Sequence, residues 1–262
     1  MTPSTSAAAH TLLCATGPDD RARGLDVLRA HLEEWSTHDR RDLGAALIDE
    51  LHQAPLTAVR SSAALALTHL ARYGTWDDGW TESVLRWWTR EDDLRSFDPQ
   101  DGWIHAVVRG ADLIGALALA RQASAARLLG ACTRRLIAPT EFVWLDGEDE
   151  HIAYAIVCAL NSENADHADP TAGGIDPTQL AWLGPLVTYL HRSADEPSDP
   201  CRANTLHTLR CLTMLLDVDR PVAGATRTPA HSAHIRSTVL AVLTSASPYL
   251  WSLDSWQHLP RM

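Results

Sequence analysis

Apolar residues recur at helical spacing along nearly the whole chain, and strand-like alternation is almost absent. Leu25, Leu28 and Leu32 make one stripe, Leu43, Leu47 and Leu51 a second, and Val59, Ala63, Leu67 and Leu70 a third. Val84, Leu85 and Trp88 mark a fourth. Further periodic runs cover Gly102 to Ala120, Ala125 to Ile137, Glu148 to Leu160, Pro177 to Leu190, Arg202 to Leu216 and Ser232 to Leu243. Spacings of three and four put each set on one helix face, which must then be buried against a neighbour. Roughly ten helices of about 12–18 residues, joined by short Pro, Gly or Asp turns, is the pattern of stacked helix pairs. The sequence therefore predicts an all-α fold: a single HEAT-like helical-repeat domain, as an α-solenoid or a curled α/α layer, with a concave polar pocket. Residues 21–262 read as that domain. Residues 1–20, rich in Ser, Thr and Ala, read as a flexible or weakly docked N-terminal segment. Asn161 to Asp176 and Asp217 to Pro229 read as surface loops.

Composition excludes several function classes. The 262 residues carry 33 acids against 22 bases, a formal charge of -11. Such a surface repels phosphate backbones, so no nucleic acid is expected as a partner, and neutral or cationic ligands are favoured. Every base is Arg; with no Lys there is no Schiff-base lysine and no phosphate-loop lysine. The 5 Cys show no C-x-x-C spacing, which argues against a disulfide framework and a structural zinc site. The N-terminus lacks the basic and apolar regions of a secretion signal, and no apolar run approaches a membrane span. A cytoplasmic protein without membrane contact is expected. G-x-S-x-G, Gly-rich phosphate loops and the dinucleotide fingerprint are all missing, which argues against an α/β hydrolase, a kinase or a nicotinamide enzyme. His231-x-x-His234 and Asp166-His167-Ala168-Asp169 lack a full ligand set, so neither metal nor cofactor is expected.

The chemistry concentrates between Glu91 and Asp112. Reading a helix from Gly102, the residues His105, Arg109 and Asp112 fall at i, i+4 and i+7, on one narrow face. An amphipathic helix showing its wet face to water gives the same pattern. Here, however, the polar face runs on into Ala116 and Leu119, which are not solvated residues, and Trp103 opens the helix where an indole can wall a pocket. A second acidic run is Asp146-Gly147-Glu148-Asp149-Glu150-His151. Asp146 fits a helix N-cap, with the acids complementing the helix dipole; alternatively Glu148 or Asp149 turns inward beside His105. Trp144 just upstream is a candidate wall. Arg60, Asp93 and Arg95 are candidates for ligand contact, with loop-fixing ion pairs as their structural role. Trp87 and Trp88 diverge by about 100° on a helix, so one of them is expected to line a groove or interface. Trp76, Trp80, Trp251 and Trp256 are expected to plug the ends of the helical layer.

Four blocks resemble the bacterial domain-of-unknown-function family 2785: V-R-S-S-A-A-L-A-L (59–67), E-D-D-L-R-S-F (91–97), G-W-I-H-A-V-V-R-G-A-D-L (102–113) and D-G-E-D-E-H-I-A (146–153). N-T-L-H-T-L (204–209) is a weaker fifth. The resemblance implies an all-helical fold and supplies no activity. It also marks three departures. This chain has Arg109 where the family usually has His, Asp101 where it has Lys, and His151 where it has Arg.

Two functions fit these residues. In the first, a cofactor-independent enzyme works by acid/base chemistry on a small polar or cationic metabolite. His105 then transfers the proton, Asp112 orients it, Glu148 or Asp149 is the second carboxyl, and Arg109 holds negative charge. In the second, a non-catalytic α-solenoid binds a peptide or partner protein through Trp anchors.

Overall fold

In the computed structural model the described residues are 5–163, 180–194, 199–217, 229 and 231–247. Eleven helices form among them. They are α1 (Thr5–Leu13), α2 (Pro18–His31), α3 (Thr37–Gln53), α4 (Thr57–Arg72), α5 (Asp78–Arg90) and α6 (Ala106–Leu119). Then follow α7 (Ala125–Leu136), α8 (Glu148–Glu163), α9 (Leu183–Arg192), α10 (Pro200–Asp217) and α11 (Ser232–Ala246). Two short strands, β1 (Phe97–Asp98) and β2 (Gly102–Trp103), pair antiparallel just before α6. Among the described residues the fold is all-α apart from this hairpin. No helix of the described residues is long and apolar enough to cross a membrane.

The helices stack in two rows. In one, α2 packs on α4, α4 on α6, α6 on α8 and α8 on α10. In the other, α3 packs on α5, α5 on α7, α7 on α9 and α9 on α11. Helix starts follow from local chemistry. Ser36 accepts a hydrogen bond from the Asp39 amide at 3.1 Å while Asp39 accepts from the Ser36 amide at 3.3 Å, a reciprocal cap for α3. Asp77 caps α5 by accepting from the Gly79 amide at 2.9 Å. At the N-terminus, Ala9 and Leu13 are fully buried, docking α1 against α2 and α3.

The central helix is α6, where only Arg109, Asp112 and Leu119 are more than slightly exposed. Each fully buried Leu or Ile on it contributes about 1.5–3 kcal/mol of apolar transfer. Gly110 lets α5 approach: a Cβ there would stand 1.9 Å from Trp88 Cδ1. The same indole donates to the Val107 carbonyl at 3.1 Å. Trp87 is buried too, donating to Glu91 Oε2 at 2.9 Å. The expectation that one of this pair lines a groove is thus corrected. Helix α5 packs against α3, α6 and α7, so diverging side chains both find cover. Trp76 and Trp80 meet edge to face at 5.5 Å, with Trp76 buried. Trp251 and Trp256 lie outside the described residues.

Candidate functional site

The helix read from Gly102 begins four residues later. Gly102 has φ +73 and pairs with Asp98, while Trp103 pairs with Phe97. His105 takes the left-handed conformation, φ 50 and ψ 39, at the N-cap of α6. Its neighbours pin it there. The amides of Ile104 and His105 both donate to the Ser96 carbonyl, at 2.8 and 3.2 Å. The Ser61 hydroxyl donates to the Ile104 carbonyl. The Arg109 amide still donates to the His105 carbonyl at 2.9 Å, so His105 and Arg109 stay one turn apart. A non-glycine residue held at positive φ stores about 1–2 kcal/mol of strain.

The His105 ring lies flat on Trp103, with centroids 4.6 Å apart and planes 1° apart. Its Nδ1 is buried and has no hydrogen-bond partner. Burial, then the Arg109 charge, push this imidazole below its usual range; Glu148 and Asp146 pull the other way. Arg109 is a half-buried cation with little hydrogen bonding. Among the described residues its guanidinium makes one hydrogen bond, a long one to Ser62 Oγ at 3.4 Å. Burial and the neighbouring Arg21 push it down to about 10, against the pull of Asp112.

Asp112 does not pair with His105. Its Oδ1 accepts from Nδ1 of His151 on α8 at 2.7 Å. That bond, working against burial, raises the His151 pKa. The pairing arises because α6 and α8 are packing neighbours and each brings one half-buried polar residue to the seam. The pair forms one wall of a cavity of about 430 Å³ between α6, α8 and α10. Glu150, Tyr154 and Cys211 supply its other polar groups, and Met214 and Leu215 its apolar side. The Cys211 thiol is pushed up to about 11 by burial and by Asp149, so it is not poised as a thiolate nucleophile.

The remaining candidates divide. Glu148 is 1% exposed and accepts from the Ser96 hydroxyl and, at 2.9 Å, from the Asp146 amide. It latches the start of α8 to the loop that pins His105. Gly147, with φ +88, precedes the helix, one residue later than the N-cap expected at Asp146. Asp149 turns away from His105 to the α10 side, where the Cys211 thiol donates to it at 3.5 Å. Trp144 is buried, and its amide donates to Asn204 Oδ1 at 2.9 Å, which ties its loop to α10. Arg60 grips Glu91 with two bonds of 2.7 and 2.8 Å. Arg95 bridges Asp93 at 2.8 Å and Asp98 at 2.6 Å. The structure therefore groups His105, Arg109, Asp112 and Glu148 around the α6–α8 seam. It leaves Asp149, Trp144, Arg60, Asp93 and Arg95 in other contacts.

Sequence reasoning missed His151 as a site residue, along with Glu150, Tyr154 and the α10 side of the cavity. The available sign was the i+3 spacing of His151 from Glu148, which puts both on one face of α8. Of the two histidine-containing metal candidates, His231 is the N-cap of α11 with φ 60, and Asp166 to Asp169 lie outside the described residues.

The profile of a family described as "Protein of unknown function (DUF2785)" matches residues 59–214, from near the start of α4 through most of α10. No curated protein and no solved structure matches the chain.

Proposed function

The chain belongs to the DUF2785 family, and from the geometry of its α6–α8–α10 cavity we propose that it is a cofactor-independent acid/base enzyme acting on a small polar or cationic metabolite. One observation carries the reading: a 2.7 Å imidazole–carboxylate contact stands in the wall of a hollow the size of a small-ligand pocket. In this reading His151 moves the proton. Asp112 fixes its tautomer and raises its basicity toward neutral pH, where a proton shuttle works best. Glu150 draws the cationic end of the ligand, and Met214 with Leu215 cover its apolar part. Outside the cavity lining, Arg109 is close enough to Asp112 to feel its charge, and His105 close enough to His151 to feel that ring's, so in this reading both steady charge that develops during reaction. Cyclisation, isomerisation and hydrolysis all fit this set.

We also propose that the two rows are a HEAT-like layer, with α4, α6, α8 and α10 as its inner, ligand-facing row. The i to i+2 packing in each row supports this. Positions 109 and 151, where the resemblance implies a departure from the family pattern, both lie beside Asp112, which supports a specialised substrate.

The competing reading is a binding module for a peptide or partner protein. It draws on Trp103 and Phe97, which are 54% and 51% exposed and touch edge to face at 5.2 Å. One experiment separates the two. The full chain is incubated with pooled small amines, amino acids and zwitterions, and the pools are followed by thermal shift and by mass spectrometry. The enzyme reading expects a pool that stabilises the wild type and is consumed, and neither effect in His151→Ala or Asp112→Asn. If no pool acts while Trp103→Ala abolishes capture of a peptide library member, the catalytic reading is wrong.

A further inference from the structure

A second group of chemically able side chains lies on α1 and α3, elements that contribute nothing to the cavity between α6, α8 and α10. His10 and Cys14 sit one turn apart at the end of α1, and the Cys14 amide donates to the His10 carbonyl at 3.1 Å. They therefore project from one side of the helix. Glu50 reaches them from α3. One donor atom from each of the three residues falls within 4.8 Å of the other two. His10 Nε2 stands 3.7 Å from Glu50 Oε1, too far for a hydrogen bond, and is buried without any hydrogen-bond partner. Two ligands of one tetrahedral zinc ion stand about 3.3–3.8 Å apart, given metal–ligand bonds of about 2.0–2.3 Å. An imidazole nitrogen and a carboxylate oxygen on such an ion stand about 3.3–3.5 Å apart, so the 3.7 Å between His10 and Glu50 needs to close only slightly, and a small approach of Cys14 completes the triangle.

We propose that His10, Cys14 and Glu50 form a site for a borderline-soft divalent cation, zinc by preference. One imidazole, one thiolate and one carboxylate is the mixed donor set such ions select over magnesium or calcium. All three residues are half-buried, so the ion would sit at the α1–α3 seam with its fourth position open to water. A hollow of about 230 Å³ bordered by His10, Leu43 and Ala46 reaches the seam, and Asp39 and Asp42 at its edge attract cations. On binding, the thiol proton leaves to solvent and Cys14 ligates as thiolate. The ion would clip α1 to α3. Spacing along the chain does not reveal this trio, because Glu50 belongs to a different helix. It also lies outside residues 59–214, so the inference owes nothing to the family.

The test uses the full chain, stripped of metal with chelator and titrated with cobalt(II), then with zinc in competition. We expect one equivalent of cobalt bound, with a thiolate-to-cobalt charge-transfer band that zinc abolishes. Cys14→Ser should remove that band, and His10→Ala should weaken cobalt binding at least about tenfold. Helical circular dichroism of both variants is checked first; both are half-buried, surface-reaching positions, and either variant alone suffices. Absence of stoichiometric cobalt binding by the wild type overturns the proposal. So does binding that survives unchanged in a folded Cys14→Ser or His10→Ala variant, since the ion then sits elsewhere. None of these outcomes bears on the His151–Asp112 reading.

Discussion

Two arginines, one on α4 and one on α6, show how differently this fold treats a cation near its core. Arg60 spends its guanidinium fully. It donates to both oxygens of Glu91, to the Ala54 carbonyl at 2.8 Å and to Thr57 Oγ1 at 2.8 Å. Arg135 joins the same hub from α7, donating to the carbonyls of Trp88 and Glu91 at 3.0 and 2.7 Å. The Arg109 guanidinium has, among the described residues, one long bond to a serine. A desolvated charge with spare donors costs stability and is tolerated where something else is gained. The contrast separates a region whose polar groups are consumed in holding α4, α5 and α7 together from a region whose polar groups remain available. The same division holds for the carboxylates. Glu91 is locked between Arg60 and Trp87, while Asp112 faces a cavity with a titratable partner.

The largest effect should come from breaking the consumed hub. Glu91→Ala leaves Arg60 charged, largely buried and without its carboxylate, and is expected to cost about 3–5 kcal/mol in urea unfolding. Arg109→Met should move the other way. Replacing an under-satisfied cation with an apolar chain of similar length is expected to stabilise by about 1 kcal/mol, while the ligand response of the cavity falls. If Arg109→Met instead unfolds as readily as Glu91→Ala, the two regions are alike and Arg109 is a structural cation.

How far these differences could be read without coordinates varies by residue. Helix identity was legible because the 3.6-residue period persists through Leu43, Leu47 and Leu51 and through most later runs. The start of α6 was not, because periodicity carries no information about a positive φ at His105 or about a two-residue strand at Gly102. The Arg60–Glu91 pair was legible only as a type: an arginine in an apolar helix needs an acid, but 31 positions separate the two. Asp112 could be singled out by its place on a polar stripe. Its partner could not, since the choice between His105 and His151 depends on α6 packing against α8. Trp87 and Trp88 failed for a related reason: helical divergence is local, whereas cover comes from neighbouring elements.

Smaller effects probe the available region itself. His105→Gly removes the left-handed strain, worth about 1–2 kcal/mol, and loses the stack on Trp103, worth about 0.5–1.5 kcal/mol. The net change in stability should stay within about 1 kcal/mol of zero, with the ligand response reduced. A much larger loss in denaturant unfolding would make the stacked ring a structural prop.

The smallest expected effect is also the most specific. Asp112 raises the His151 pKa above the ordinary 6.5 by accepting its hydrogen bond. A group whose pKa is higher folded than unfolded adds stability that is full below the unfolded value and fades as pH rises through the folded one. The stability difference between wild type and Asp112→Asn should therefore be greater at about pH 6 than at about pH 8.5. Because His151 is partly open to solvent, the pH-dependent part should remain under about 1 kcal/mol. Proton NMR titration gives the sharper readout, with the His151 midpoint falling in Asp112→Asn while that of His105 moves less. Asp112 has no hydrogen bond to His105, so equal shifts at both rings would mean that the carboxylate serves the two imidazoles jointly. The division between one oriented imidazole and one held neutral by burial would then be lost, and with it the assignment of His151 as the group that moves the proton.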